Sequence, residues 1–160
     1  MIVGIVSDSH DHQERTKAAV ELFNSRGVGY VIHAGDIISP FTMFHLNSLS
    51  CDWIAVLGNN DGERSGLSIF SEGRVVEPPH LLALDGKRIV VVHDLAAIDM
   101  EQLVQSTDVV VHGHTHHMES RMEGGVLFVN PGECCGYLTG AATVALLDTA
   151  SMKVQFVEIS

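Results

Sequence analysis

The stretch IVGIVSDSH (residues 2–10) begins as an apolar run and ends in polar residues. This pattern predicts a buried β-strand over Ile2–Val6 with the polar side chains in the loop that follows. Helical spacing of apolar residues then predicts a helix over Gln13–Arg26, which Gly27 ends. The alternation continues with a strand, a helix and a strand over Tyr30–His33, Pro40–Asn47 and Trp53–Leu57. The opening of the chain therefore predicts βαβ units and a partly parallel sheet.

The pattern changes in the second half of the chain. Two apolar runs flank Asp85-Gly86, a dipeptide that is a strong hairpin signal. A helix is predicted over Asp99–Ser106 and a strand over Asp108–His112. Further strands are predicted on either side of Gly124-Gly125, and over Thr143–Leu147 and Val154–Ile159 around a turn at Ala150. The whole pattern predicts a mixed α/β (α+β) domain whose later half is richer in antiparallel pairs.

Length and composition limit what the chain can be. Its 160 residues, 46% hydrophobic and 18% charged, fit one globular domain over residues 1–160. The formal net charge of −11 repels polyanions, so no duplex nucleic acid partner is expected. The longest apolar runs, such as Ile89–Val92, are far shorter than the roughly 20 residues that span a bilayer, so no membrane partner is expected.

Two features predict a cytoplasmic location. The N-terminal residues lack the basic start and long apolar centre of a signal peptide. Three cysteines are an odd number, and Cys134 and Cys135 are adjacent, which disfavours a disulfide framework. The ten histidines, in contrast, outnumber the nine lysines and arginines and require a chemical explanation.

Polar clusters follow five apolar runs, at the strand ends where open α/β sheets place their sites. They are Asp8-Ser9-His10, Gly35-Asp36, Gly58-Asn59-Asn60-Asp61, His93-Asp94 and Gly113-His114-Thr115-His116. In the first cluster a carboxylate and an imidazole two residues apart point the same way, so they could bind one cation. The two imidazoles of the last cluster can likewise face one cavity.

Each cluster alone also has a plainer interpretation. Asp8 could cap the following helix, as Asp often does after a strand. Asp36 could be a turn residue, although a carboxylate beside Gly35 could also bridge two metals. Asn59 lies in an obvious turn, and a lone histidine such as His93 is more often a structural residue than a ligand.

The set of motifs is more informative than any member. Asp-x-His, Gly-Asp, Gly-Asn, His and Gly-His-x-His follow one another in this order from Asp8 to His116. This order resembles the calcineurin-like metallophosphoesterase superfamily. The resemblance continues to Asn130-Pro131-Gly132, so it covers nearly the whole chain. The Gly-Asn-Asn-Asp-Gly and Asn-Pro-Gly-Glu segments look like the small single-domain bacterial and archaeal phosphodiesterases within that superfamily.

The resemblance implies a fold and a metal site. The fold of the family is a four-layer α/β/β/α sandwich of two mixed β-sheets flanked by helices, with the metals at the carboxyl-end edge. The implied ligands are Asp8, His10 and His116 for one metal, Asn59, His93 and His114 for the other, and Asp36 as the bridge between them. Mixed nitrogen and oxygen ligands favour two divalent ions from the group Mn, Ni, Fe, Co and Zn over Mg and Ca.

The implied activity is hydrolysis of a small phosphodiester, in which a hydroxide bridging the two metals attacks phosphorus in line. The positive charge of the metals would also explain how an acidic chain binds phosphate. One alternative is a phosphomonoesterase or nucleotide pyrophosphatase. Another is a non-catalytic scaffold with the same fold, like the retromer subunit that resembles this family. All seven implied positions carry ligating side chains, which disfavours the scaffold.

The residue after the metal-binding Asn departs from the commonest family pattern, in which a histidine acts as general acid or transition-state contact. Here it is Asn60, whose amide donates a hydrogen bond but delivers no proton at neutral pH. The second candidate catalytic residue, Asp61, would orient a ligand histidine or serve only as a turn residue. His12 and His117 are two candidates to act as the general acid in place of the missing histidine, and neither is favoured. His33 is interpreted as strand packing, with support of the ligands as the alternative.

Three segments complete the interpretation. Residues 133–135, Glu-Cys-Cys, could suggest a thiol nucleophile, but no nearby Arg supplies positive charge, so buried small residues are favoured. Arg64 and Arg74 are the cations near the third motif that suggest extra phosphate contacts. A homodimer or higher homo-oligomer is expected, since two-fold dimers are the commonest assemblies and the resembling phosphodiesterases are often oligomeric. Its candidate apolar contacts lie in Phe41–Phe44 and Leu67–Phe70, which could equally be core.

Overall fold

The computed structural model describes residues 1–97, 99 and 106–160. The helices and strands of its first half are β1 (Ile2–Val6), α1 (Gln13–Arg26), β2 (Tyr30–His33), α2 (Met43–Leu46), β3 (Asp52–Val56), α3 (Arg64–Phe70) and β4 (Val75–Val76). Those described in its second half are β5 (His80–Leu84), β6 (Lys87–Val91), β7 (Val109–Val111), β8 (Met118–Glu123), β9 (Val126–Pro131), β10 (Thr143–Asp148) and β11 (Lys153–Glu158). The alternation predicted for the opening of the chain is confirmed.

The segment predicted as a helix over Pro40–Asn47 consists of two shorter pieces. A 3₁₀ turn covers Pro40–Thr42, and α2 follows directly. Pro40 has no N–H to donate, and the Ser39 hydroxyl accepts the Phe41 N–H at 3.3 Å, so the segment starts as a tight capped turn. The prediction of one continuous helix was wrong.

Two mixed β-sheets carry the fold. The six-stranded sheet has the order β11-β10-β1-β2-β3-β4, with β1 to β4 parallel and β10 and β11 antiparallel to their neighbours. The five-stranded sheet has the order β5-β6-β7-β9-β8, with β6, β7 and β9 parallel and an antiparallel strand at each edge. The predicted class is therefore confirmed, including the greater share of antiparallel pairs in the later half.

One apolar core lies between the two sheets. Ile5 and Ile32 from the first sheet pack against Val91 and Val111 from the second, and all four side chains are fully buried. On the other face of the first sheet, α1, α2 and α3 cover a second apolar cluster. The outer face of the second sheet carries a smaller cluster against which Leu95 packs, from a 3₁₀ turn over Leu95–Ala97. The two sheets thus form a sandwich flanked by few helices, which agrees with the fold that the family resemblance implied.

Two predictions for the second half have different outcomes. Asp85 and Gly86 have φ values of 51° and 75°, so both central residues of the β5–β6 turn are left-handed, as a type I′ hairpin requires. The helix predicted over Asp99–Ser106 lies almost entirely outside the described residues. Among the residues that the model describes, no helix is long and apolar enough to cross a membrane.

The carboxyl ends of the parallel strands from both sheets meet at one edge. The loop after β6 reaches the loop after β2, since His93 Nδ1 donates to the Ala34 carbonyl at 2.8 Å. The loop after β7 reaches the loop after β1, since the His114 N–H donates to Asp8 Oδ2 at 3.1 Å. This edge of the sandwich therefore gathers all five polar clusters of the sequence.

Candidate metal centre

Asp8, His10 and His116 lie together, and we name these three residues the inner half of the site. His116 Nε2 lies 3.5 Å and His10 Nε2 lies 3.9 Å from Asp8 Oδ1. The two imidazole rings stack with their centroids 5.2 Å apart. Asp8 is fully buried, so these three side chains converge in a site that is mostly closed to solvent.

Asn59, His93 and His114 form the outer half of the site. Asn59 Oδ1 lies 3.0 Å from His93 Nε2 and 2.9 Å from His114 Nδ1. Asp36 lies between the halves, because its Oδ2 is 3.6 Å from His10 Nε2 and 3.4 Å from His93 Nε2. The structure thus brings all seven predicted ligands together in the grouping that the resemblance implied.

The backbone is unusual at the ligand positions. Five of the seven candidate ligands have positive φ values, between 43° and 69°. They are Asp8, His10, Asp36, His114 and His116. Residues other than Gly rarely adopt this left-handed backbone conformation, and residues with such strain cluster at functional sites. The sharp turns directly after the strands aim these side chains at one point.

Two motif glycines allow the loops to approach each other. A Cβ atom on Gly58 would collide with the backbone and carboxylate of Asp36. A Cβ atom on Gly113 would collide with the Ser7 hydroxyl and lie 2.7 Å from Asp8 Oδ2. The glycines of the Gly-Asn and Gly-His motifs are therefore needed because a carboxylate of the site occupies the space of their missing side chain.

Asn60 contacts the bridging residue. Its side-chain N–H donates to Asp36 Oδ2 at 2.7 Å and its backbone N–H donates to Asp36 Oδ1 at 2.9 Å. Burial pushes the pKa of Asp36 up, but hydrogen bonds from His93 and Asn60 outweigh that effect and hold the pKa below its ordinary value. Asn60 therefore keeps Asp36 ionised and fixed in orientation.

Asp61 is buried behind the site. Among the described residues, its carboxylate accepts hydrogen bonds from four backbone N–H groups, those of Asp36, Ile37, Ile38 and Gly58. Their lengths run from 2.6 to 3.0 Å. The contacts differ from both alternatives drawn from the sequence, since Asp61 neither orients a ligand histidine nor stabilises only its own turn. It fastens the Asp36 loop to the Asn59 loop.

His33 is fully buried and connects two loops of the site. Its Nδ1 accepts the Gly35 N–H at 3.2 Å, so its Nε2 carries the proton and donates to the Ser9 hydroxyl at 3.0 Å. Burial lowers the pKa of His33 to about 3. The side chain is neutral and supports the ligand loops, which is the alternative that the sequence interpretation placed second to strand packing.

Sequence reasoning missed Glu133 and Asn130 as supports of the site. Glu133 is fully buried, and its Oε2 lies 2.7 Å from His116 Nδ1. The Asn130 amide donates to the Gly113 carbonyl at 2.8 Å and to the Thr115 hydroxyl at 3.1 Å, which holds the loop that carries both histidines. The Asn-Pro-Gly-Glu segment was the available signal, but nothing in the sequence connected it to His116.

The polar atoms of the inner half fit a cation. Asp8 Oδ1 and His10 Nε2 are buried and have no hydrogen-bond partner among the described residues. Desolvation by burial raises the pKa of Asp8, and an ionised carboxylate in such a place is favoured by a positive charge beside it. Carboxylate and imidazole groups converge here, and they are ligands that divalent transition metals accept. The residues present therefore fit a metal site.

The two adjacent cysteines are buried and poorly suited to nucleophilic chemistry. Burial raises the pKa of the Cys134 and Cys135 thiols to about 12 each, so neither forms a thiolate at neutral pH. The interpretation of this pair as buried small residues agrees with their placement. Cys135 Sγ nevertheless lies within 4.8 Å of ring nitrogens of His10 and His116.

Other candidates from the sequence have separate places. Arg74 lies over the Trp53 ring, 5.6 Å from its centroid, at the opposite end of β3 from the site. Arg64 pairs with Glu77 at 2.6 Å and lines a cavity beside Asn59. Of the two phosphate-contact candidates, only Arg64 is near the site.

The substitute acids lie at the rim of the site. His12 accepts the Arg15 N–H at the start of α1 and stacks on Tyr137, with ring centroids 5.4 Å apart. The His117 side chain is exposed next to His116.

Comparisons with known proteins agree with this geometry. A family model, the calcineurin-like phosphoesterase superfamily domain, matches residues 1–152. The chain is 39% identical over 155 residues to phosphodiesterase MJ0936 of Methanocaldococcus jannaschii, with a coverage of 93% for this chain and 93% for that one. It is 26% identical to phosphodiesterase YfcE of Escherichia coli, covering 79% of this chain and 75% of that one. A solved structure of a novel archaeal phosphodiesterase superposes with a TM-score of 0.90 at 36% identity, covering 99% of this chain and 100% of that chain.

The chain belongs to the calcineurin-like phosphoesterase superfamily. Members of this family use divalent metal ions, and the protein is a hydrolase that acts on phosphate esters. The resemblance inferred from motif order is therefore confirmed, including its assignment to small archaeal and bacterial phosphodiesterases.

Proposed function

We propose that the protein is a dinuclear phosphodiesterase that hydrolyses a small phosphodiester. One observation carries this proposal: Asp36 lies between two groups of ligands and faces an imidazole of each, at 3.6 Å for His10 and 3.4 Å for His93. A carboxylate has two oxygens and can serve two cations at once. The inner and outer halves would each hold one divalent ion, from the group Mn, Ni, Fe, Co and Zn.

Two bound divalent ions would supply an activated water and positive charge for the phosphate oxygens. The residues of the chain hold the rest of the geometry. Asp61 and Asn60 fix the bridging Asp36 through backbone and side-chain hydrogen bonds. His114, whose side chain is 42% exposed, lies at the mouth of the site, where a substrate enters.

The leaving oxygen of the substrate needs a proton, and Asn60 is the first residue to consider as its source. Asn60 occupies the position after Asn59, and its side-chain N–H is already donated to Asp36. An amide cannot release a proton at neutral pH, so this residue stabilises the site and does not protonate the leaving oxygen. We therefore expect faster cleavage of aryl esters than of alkyl esters.

A cavity beside the outer half supports a small substrate. Its volume is about 260 Å³, and Asn59 and His93 form part of its wall. Much of the remaining wall is apolar, from Leu57, Pro78, Pro79 and Val92. A space of this size next to the phosphate position accommodates one organic arm of a phosphodiester, with Arg64 at its edge.

The proposal is tested by metal analysis together with activity on an aryl phosphodiester and the matching aryl phosphomonoester. We expect roughly two ions per chain, loss of activity on chelation, and recovery best with Mn or Ni. Higher kcat/KM for the diester supports the proposal, whereas higher kcat/KM for the monoester makes the protein a phosphomonoesterase. A folded protein that takes up no metal contradicts the enzyme mechanism.

We also propose a cytoplasmic homodimer. Phe41 and Phe44 are 67% and 66% exposed, and Ile69 and Phe70 of α3 are 72% and 52% exposed. The end of α2 lies against the end of α3, because the Asn47 amide donates to the Phe70 carbonyl at 2.8 Å. A second copy of the chain would cover this apolar surface. Light scattering should give about twice 17.3 kDa, and Phe44→Glu should shift the mass toward that of the single chain.

A further inference from the structure

Glu133 connects a ligand histidine to a neighbouring loop. Its Oε1 accepts the Leu138 N–H at 2.9 Å, the Thr139 N–H at 2.5 Å and the Thr139 hydroxyl at 2.8 Å. Its Oε2 faces His116 Nδ1 at 2.7 Å. Oε2 also accepts longer contacts from the Leu138 N–H at 3.1 Å and the Cys135 thiol at 3.4 Å, so Oε1 mainly holds the loop and Oε2 mainly faces the histidine.

The contacts of Glu133 determine which nitrogen of His116 carries the proton. Among the described residues, the other groups that hydrogen-bond to the Glu133 carboxylate are all donors: the Leu138 N–H, the Thr139 N–H and hydroxyl, and the Cys135 thiol. A carboxylate in such surroundings is an acceptor, so His116 Nδ1 is the donor of the remaining hydrogen bond. The lone pair of the neutral ring is then on Nε2, the atom that lies 3.5 Å from Asp8 Oδ1.

We propose that Glu133 is a positioning residue that sets the tautomer and the ring orientation of His116, so that Nε2 of this histidine is ready to bind the ion of the inner half. The statement about the tautomer concerns the chain alone, whereas the statement about the ion rests on the proposed function. Carboxylates that accept from the far nitrogen of a ligand histidine typically contribute about 10- to 100-fold to metal affinity.

The outer half has a weaker counterpart. His114 faces Asn59 through Nδ1, and its Nε2 lies 3.8 Å from Asp94 Oδ2. The side chains of His114 and Asp94 are 42% and 38% exposed, so water competes for this contact. Asp94→Asn is therefore a matched control, because it makes the same change from carboxylate to amide beside His114, the exposed histidine of the outer half.

The variant Glu133→Gln tests the role of Glu133 in orienting His116 separately from its role in folding. Three donors from Leu138 and Thr139 converge on the Oε1 position and select the amide oxygen there. The amide NH₂ must then occupy the position that faces His116 Nδ1, so it donates where the carboxylate accepted. The isosteric substitution keeps the three contacts of Oε1 and loses only the longer ones to Oε2, from the Leu138 N–H at 3.1 Å and the Cys135 thiol at 3.4 Å. It should nevertheless move the His116 proton from Nδ1 to Nε2.

Long-range ¹H–¹⁵N correlation NMR of the metal-free protein at pH 8 reads this tautomer directly, with His116→Gln used for assignment. We expect the Nδ1–H form in the natural protein and in Asp94→Asn, and the Nε2–H form in Glu133→Gln. An Nε2–H form of His116 in the natural protein overturns the proposal, and this measurement does not depend on the variant folding. An unchanged tautomer in a folded Glu133→Gln also overturns it.

Competition with a chromophoric chelator then measures the affinity for Mn and Zn. We expect Glu133→Gln to weaken one of the two ions by about 10- to 100-fold, and Asp94→Asn to weaken binding by less. Equal affinities in the natural protein and Glu133→Gln overturn the role of Glu133 in ion binding. If the natural protein binds no ion, the proposed function fails, while the NMR result still decides the orientation of His116.

Discussion

The inner and outer halves of the site use similar residue types in different surroundings. Asp8 is fully buried and carries a charge, whereas its counterpart Asn59 is exposed and neutral. His116 is 12% exposed, against 42% for His114. With Asp36 shared, the inner half offers two carboxylates and the outer half offers one. The two halves therefore differ in charge and burial although their ligand motifs are alike, and under the proposed function the inner half should bind its ion more tightly.

Asp36→Asn should have the largest effect, because it removes the one charge that both halves share. We expect activity to fall about 10³-fold or more, since several kcal/mol of transition-state stabilisation depend on the ions. Elemental analysis should show loss of metal from both positions. Asp52→Asn, an exposed carboxylate at the start of β3, serves as the control. An Asp36→Asn protein that keeps either ion at full occupancy would show that the halves are independent.

Asn60→His tests the outer half, where no group of the chain is assigned to protonate the leaving oxygen. We expect turnover of alkyl phosphodiesters to rise up to roughly 10²-fold, the low end of general-acid effects, with little change for nitrophenyl diesters. The measurement is kcat on a series of diesters of increasing leaving-group pKa. Equal rates for aryl and alkyl diesters in the natural protein would reveal an unassigned acid, and His12 and His117 would be the first residues to replace.

His33 makes the support of the inner half sensitive to acid. The unfolded chain takes up this proton near pH 6.5, whereas the folded chain takes it up at a pKa of about 3. Stability is therefore complete above about pH 6.5 and falls as the pH drops toward 3. At pH 5 the loss is about 2 kcal/mol.

Urea unfolding of the metal-free protein, followed by fluorescence of the single tryptophan Trp53, measures this loss. In His33→Gln the amide reaches the Ser9 hydroxyl but does not titrate, so its stability should decline less between pH 7 and pH 5. Parallel pH profiles of the two proteins would exclude His33 as the cause.

Stepwise chelation should reveal the smallest difference. Because the outer half has fewer carboxylates and more exposed ligands, we expect its ion to leave at about 10-fold lower chelator concentration than the inner one. His114→Ala should abolish the easily removed ion and leave the other. Removal of both ions in a single step would contradict the division into two halves.

The sequence predicted much of the fold because the relevant signals are local. Apolar runs of strand length, the Asp85-Gly86 turn and the helical spacing of Gln13–Arg26 depend on neighbouring residues. The ligand clusters were found because each directly follows a strand. The order of these clusters along the chain led to the family resemblance, which implied two groups of ligands. The distances in the structure follow the same two groups.

The remaining features depend on contacts between residues distant in sequence. Asp61 was interpreted from its own turn, yet its partners lie 23 to 25 residues away in the Asp36 loop. Glu133 was considered as part of the Asn-Pro-Gly-Glu segment and beside two cysteines, while its contact with His116 spans 17 residues. The periodicity of apolar residues indicates which face of a helix or strand is buried. It contains no information on which loops contact each other.

The left-handed backbone of the ligand residues has an evolutionary consequence. Each such residue costs about 1–2 kcal/mol relative to an ordinary conformation, and glycine at the same position would remove most of that cost. Under the proposed function, selection for catalysis would retain the five residues with positive φ against this gain in stability; they are Asp8, His10, Asp36, His114 and His116. A descendant of this chain that lost its chemistry should therefore drift first toward Gly and Asn at these five positions. The residues found there would distinguish active members of a lineage from inactive ones without any assay.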